Sequence, residues 1–190
     1  LRQDGLSINN LDLGGGIGVN YLNANIDFEG FGEVIKSVFK GSNYKLSIEP
    51  GRSIVATSGI LLTKVIYSKK INSKNFIVVD AAMNDFIRPT LYDAFHPIIP
   101  IQKSNTKEII CDVVGPICET GDFFVKNTRL NEPRNEELFA LCNTGAYGSV
   151  MSSNYNSRSP ANEVIIFKGE SFLIKKNQSI EEQISNELLL

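Results

Sequence analysis

An α/β segment followed by a β-rich domain is the fold class that this sequence predicts. Three observations carry it. The apolar spacing switches from strand to helix and back to strand over the first fifty residues. It then stays strand-like for more than a hundred residues, and it turns helical again at the end. Residues 7–13 alternate as a short strand and run into Gly14, Gly15, Gly16 and Gly18. Phe31, Val34, Ile35, Val38 and Phe39 then follow the i, i+3, i+4 spacing of a helix, and Gly41 sits where a C-cap is expected. Residues 45–49 form a second strand, stopped by Pro50 and Gly51. Two βα-type units ending in Gly-rich loops predict parallel strands, as in a (β/α)8 barrel.

The texture changes near residues 56–59. Beyond it, residues 60–67, 76–81, 109–114, 137–142, 163–167 and 171–175 read as strands separated by Gly, Pro, Asn and Ser. That pattern predicts an antiparallel sandwich or barrel. Ser179 and Glu182 fit a capping box, and Ile180, Ile184 and Leu188 make the apolar stripe of a closing helix. The expected division is residues 1–57 for the α/β part and 58–190 for the β-domain. A complete barrel takes about 250 residues, so this chain does not hold one beside a β-domain. Either the sheet is small and open, or most of a barrel lies upstream. The opening LRQDGLSINN has no export-signal shape and begins in mid-pattern, which favours the second expectation.

The bulk chemistry excludes several function classes. A net charge of −2 without a basic cluster argues against nucleic acid as a partner. No apolar run approaches the roughly 20 residues of a membrane helix. Cys111, Cys118 and Cys142 are too scattered for a disulfide framework or a zinc site, so no metal is expected and a reducing cytoplasm fits.

The candidate site residues fall in five segments. In LDLGGGIGVNY, consecutive glycines allow positive φ and close approach of the backbone to a ligand. Their amides, with a following helix start, suit a phosphate; a plain tight turn remains open. The spacing is not that of a dinucleotide fingerprint. In IEPGRS, Glu49, Gly51 and Arg52 stand at the second strand's end, where Arg52 can clamp a carboxylate or phosphate or simply lie on the surface. The first two loops are expected to share one anion site. In VDAAMNDFIRPTLYDAFHPI, Arg88 is a second clamp, and Tyr92 joins it if the stretch is one helical turn. Asp80, Asp85 and Asp93 read as loop or cap residues, and His96 as structural. In GPICETGD, Cys118 can act as a general acid and Glu119 can bind an ammonium group, against a simple buried-thiol reading. In NTGAYGSVMSSNYNSR, Tyr147 lies between Gly145 and Gly148, a better place for touching a ligand than for packing a core.

Taken in order, GGGIG, EPGR, MNDFIRPTLYDAFH, GPICETGD and GAYGSVMSSNYNSR resemble the C-terminal half of the fold-type-III, pyridoxal-phosphate-dependent decarboxylases, and most of all the diaminopimelate decarboxylases. The resemblance spans nearly the whole chain. It implies that Gly14, Gly15 and Gly16 with Glu49, Gly51 and Arg52 hold the phosphate of pyridoxal 5'-phosphate. It implies that Arg52 and Arg88, with Tyr92, bind substrate carboxylate. Tyr147 touches both cofactor and substrate, and Cys118 returns a proton to the α-carbon after CO2 leaves. Glu119 recognises the distal amino-acid end. Cys118 and Glu119 would serve the neighbouring subunit of a homodimer. The implied reaction is decarboxylation of meso-diaminopimelate to L-lysine. The alternatives are an ornithine- or arginine-type decarboxylase of the same fold, or a non-catalytic partner paralogue. Ala82 stands where the family usually has Gly, and SPANEV follows Arg158 where a Pro-Arg-Pro run is usual. The lysine that bonds the cofactor and the histidine that stacks on it have no match in this chain, so the 190 residues alone are expected to be inactive.

Overall fold

The computed structural model describes residues 4–21 and 26–188. The chain begins with a parallel pair. Strand β1 (Asn10–Asp12) lies beside β2 (Lys45–Ser47), with Leu11 opposite Leu46. Between them runs helix α1 (Phe28–Val38), started by the Asp27 carboxylate, which accepts from Gly30 N at 2.8 Å. Gly41 does take positive φ, but two residues beyond the cap, which is Phe39. Helix α1 is amphipathic, yet Phe28, Phe31, Val34 and Val38 stay exposed among the described residues. Because β1 and β2 are parallel, their C-terminal ends open at the same edge.

A short helix, α2 (Gly51–Val55), and one 3-10 turn at Ala56–Ser58 lead into the β-rich part. Its strands are β3 (Leu61–Ile71), β4 (Lys74–Val79), β5 (Ile98–Pro100), β6 (Glu108–Val114), β7 (Phe123–Asn131) and β8 (Leu138–Leu141). They form one sheet in the order β5-β8-β3-β4-β6-β7. Four of these six match strands expected from the sequence within a few residues, and β5 and β7 are additions. Strand β3 is shared: its first half pairs with β8 and its second half with β4, with a register shift between Val65 and Tyr67. A bulge of this kind bends a strand so that it can serve two neighbours.

The sheet is mostly antiparallel, as expected. One pair departs: β4 and β6 run in parallel from Asn75–Cys111 to Val78–Val114. The chain between them crosses over through helix α3 (Arg88–Tyr92) and β5, and a crossover returns a strand in its original direction. The core lies on one face of this sheet. Val65, Ile77, Val79, Phe86, Val113, Phe124, Phe139 and Leu141 pack there with almost no exposure.

A hairpin of β9 (Glu163–Phe167) and β10 (Glu170–Lys175) follows, turning on Lys168 and Gly169, both with positive φ. The closing helix, α4 (Ile180–Ile184), has the expected capping box: Glu182 N donates to Ser179 Oγ and Ser179 N to the Glu182 carboxylate. It is shorter than the apolar stripe implied, and Leu188 lies beyond it, exposed. No described helix is long and apolar enough to cross a membrane.

Candidate active site

The two glycine-bearing loops meet because β1 and β2 are parallel neighbours. Glu49 N donates to Gly14 O at 2.8 Å, and Gly14 N to Asp12 Oδ1 at 2.7 Å. Gly14 (φ 71°) and Gly16 (φ 84°) occupy the left-handed region that favours glycine. Gly15 is required for another reason: a Cβ there would sit 2.8 Å from Glu49 O. Among the described residues, no acceptor takes the amide hydrogens of Gly15 or Gly16. Those amides are therefore available to a ligand anion. Among the described residues, no helix starts directly behind the loop. Helix α1 begins at Phe28, well past Gly18.

Gly15, Gly16, Ile17, Glu49, Gly51 and Arg52 line one side of a cavity of about 690 Å³; Arg88, Tyr92, Tyr147 and Met151 line the other. That volume lies in the usual range for small-molecule sites. Arg88 opens α3, a single turn with Pro89 in its first turn, and Asp93 closes it in a left-handed conformation. The Arg88 guanidinium lies between two rings, 5.5 Å from the centre of Tyr92 and 5.3 Å from that of Tyr147. Arg88 is only 7% exposed. Among the described residues, neither Arg88 nor Arg52 forms an ion pair with a carboxylate. A buried cation is costly unless an anion joins it.

Tyr147 reaches this place through a strained loop. Its φ is 63°, a conformation that costs a non-glycine residue about 1–2 kcal/mol. The flanking glycines allow it. Thr144 N donates to Gly59 O at 2.9 Å and Gly145 N to Ala56 O at 3.0 Å, and any side chain at Gly145 would run into Val55 O. The loop is thus pinned to the turn that follows α2, which ties the β-rich part to the first fifty-odd residues.

Cys118 and Glu119 do not line this cavity. Cys118 is exposed, and the Glu119 carboxylate accepts from Gly121 N at 3.3 Å and Tyr155 Oη at 3.4 Å. Glu119 instead borders a separate hollow with Tyr67, Phe76 and Phe123. His96 is buried, with Nδ1 3.0 Å from Cys142 O and its ring edge-on to Phe86 and Tyr21. Burial lowers its pKa and so favours the neutral ring. Asp85 accepts from Ala82 N and Asp80 from Thr63 and Lys64, as loop residues do. Three side chains had no role in the sequence reading: Met151, which lines the cavity, and Thr90 and Asp122, which hold its surroundings. An aspartate directly between Gly121 and the apolar start of β7 was the available sign of a buried carboxylate.

Residues 1–56 match the family described as the pyridoxal-dependent decarboxylase, pyridoxal binding domain. Residues 53–145 match the C-terminal sheet domain of the pyridoxal-dependent decarboxylases. The chain belongs to the pyridoxal-dependent decarboxylase family. It is 44% identical over 190 residues to the diaminopimelate decarboxylase of Zymomonas mobilis, covering 98% of this chain and 45% of that protein. It is 42% identical to the Aquifex aeolicus diaminopimelate decarboxylase, covering 95% and 44%. Among solved structures, the Helicobacter pylori diaminopimelate decarboxylase complexed with L-lysine matches with a TM-score of 0.88 and 41% identity, covering 98% of this chain and 46% of that one. The chain therefore spans about 45% of the length of the curated relatives it matches.

Proposed function

We propose that the full-length protein decarboxylates meso-diaminopimelate to L-lysine with pyridoxal 5'-phosphate. One observation carries the reading. A buried guanidinium, Arg88, has no carboxylate partner among the described residues and lines the same cavity as unpaired glycine amides and Arg52. Such a cavity suits two anions side by side, a phosphate and a carboxylate. The glycine loop of Gly14, Gly15 and Gly16 and the Glu49–Gly51–Arg52 turn would hold the cofactor phosphate. Arg88, with Arg52, would hold the substrate carboxylate, with Tyr92 and Tyr147 as its walls. When bound, the cofactor supplies the electron sink that makes loss of CO2 possible.

Cys118 and Glu119 would act in the site of a second subunit, Cys118 as proton donor and Glu119 on the distal ammonium. Their position away from the Arg88 cavity supports a homodimer with composite sites. Residues 1–57 would complete a barrel, with 58–190 as the β-domain. The free thiols support a reducing compartment such as the cytoplasm.

The test is CO2 release from meso-diaminopimelate by the full-length protein with the cofactor, set against ornithine and arginine. Turnover of diaminopimelate alone is expected, and preference for ornithine or arginine would move the protein to the other branch. Arg88→Ala should lower kcat/KM about 10- to 100-fold, the scale of a lost charged hydrogen bond. Arg88→Lys should recover only part, because an ammonium cannot grip a carboxylate with two parallel bonds.

A further inference from the structure

We propose that Asp122 is a positioning residue for the reaction: its carboxylate latches the turn bearing Cys118 and Glu119 to the turn that leads into the Arg88 helix. One oxygen, Oδ1, accepts from Met83 N at 2.7 Å, and the other, Oδ2, accepts from Ile117 N at 2.7 Å. Ile117 directly precedes Cys118, and Met83 begins the stretch that ends at Arg88. A single buried side chain therefore joins two segments that lie more than thirty residues apart. The turn closes around it. Asp122 N donates to Glu119 O at 3.0 Å and Gly115 N to Asp122 O at 3.1 Å, while a side chain at Gly115 would run into the carboxylate. A second tie runs beside it: Thr90 Oγ1, on α3, donates to Gly121 O, and a Cβ on Gly121 would lie 2.7 Å from Thr90 Cγ2.

The chemistry of the latch requires a carboxylate. Two backbone N–H groups point at it, and an ionised carboxylate accepts both in bonds roughly twice as strong as neutral ones. Asparagine has the same shape but one acceptor oxygen, so one N–H would face an NH2 group. The turn carrying Cys118 would then lose one of its anchors while α3 keeps the packing of Arg88 between its two rings. The latch also joins two functional segments: α3, whose Arg88 lines the cavity, and the turn of Cys118 and Glu119, which do not line it. The proposal rests on the decarboxylase reading for the roles of Cys118 and Arg88, but its geometry does not.

The test is Asp122→Asn in the full-length holoenzyme, with two readouts: steady-state kinetics, and the rate at which iodoacetamide alkylates Cys118, mapped by peptide mass. A proton donor shifted by a fraction of an ångström predicts kcat per folded molecule reduced about 10- to 100-fold, with KM for meso-diaminopimelate within about twofold of wild type. Cys118, covered by the neighbouring subunit in the proposed dimer, should be alkylated about fivefold faster or more, as local opening of its turn becomes easier. Thr90→Val keeps the side-chain shape and removes only the neutral tie. It should shift both readouts in the same direction by a smaller factor, and it decides the matter should the Asp122→Asn protein fail to fold. Alkylation and turnover within about twofold of wild type in the folded variants would overturn the latch. So would activity lost only in proportion to the folded fraction. The alkylation arm needs no turnover, so a wild-type protein inactive on diaminopimelate would sink the functional reading and still leave the latch to be judged.

Discussion

Cys118 stands on the surface while Cys111 is enclosed in β6, and that difference predicts their chemistry. Burial, with Asp112 beside it, pushes the Cys111 thiol up to about 11, and burial raises Cys142 as well. A thiolate is the reactive form. Iodoacetamide at neutral pH should therefore label Cys118 first, Cys142 slowly and Cys111 only after unfolding, with timed digestion and mass mapping as the check. Labelling of Cys111 at the rate of Cys118 would contradict the placement of β6. Arg88 shows the same dependence on surroundings. As a letter before a proline it reads as a carboxylate clamp, and its burial beside the rings of Tyr92 and Tyr147 puts that guanidinium at a cavity wall.

At the level of elements, the sheet is held by a few large side chains. Phe139 on β8 is 1% exposed and packs with Val65, Phe86 and Leu141. Phe139→Ala should cost about 3–5 kcal/mol, read as a lower urea midpoint with an unchanged slope. Arg129→Ala, which breaks an ion pair with Glu108 in solvent, should cost less than about 1 kcal/mol. The strands most easily read from sequence were short apolar runs rich in β-branched residues, such as β4 and β9. Strand β7 was missed because its pattern is broken in the middle. Asn127 takes a φ of 52° and its amide turns to Asp112 Oδ1, at a register shift that interrupts the period of two. Strand β5 is three residues long and flanked by Pro97 and ends in Pro100, so no periodicity could reveal it.

Across the whole molecule, two buried carboxylates give a pH signature. Asp85 and Asp122 both have raised pKa values, chiefly from desolvation, from an ordinary value of 3.8. A carboxyl that binds its proton more tightly when folded weakens the fold at neutral pH. That penalty shrinks as pH falls through the raised folded value toward 3.8. The stability of wild type minus that of Asp85→Asn should therefore grow as pH is lowered from 7 toward 4 in chemical-denaturation series. A difference that shrinks over that window would reverse the assignment for Asp85. The proposed dimer gives a second whole-molecule prediction. Arg88→Ala and Cys118→Ala damage different half-sites if Cys118 serves the neighbour. Mixing the two impaired full-length variants should raise CO2 release above that of either alone, because one site of each mixed dimer is intact. A mixture no more active than either variant after demonstrated subunit exchange would place both residues in one site.

The sequence by itself determined the local features: the parallel βα start, most strands, the capping box at Ser179, and the ordered motifs that mark the family. These depend on residues a few positions apart, where periodicity and backbone chemistry act directly. Only the tertiary structure decided what lies beside what. It brought the Gly14–Gly16 loop, Arg52, Arg88 and Tyr147 to one cavity, kept Cys118 outside it, and ran β4 beside β6 in parallel. It also buried Asp122 between two turns, which no spacing in the chain announces. Such pairings join segments tens of residues apart. They are set by which arrangement buries the most apolar surface while leaving each buried polar group a partner.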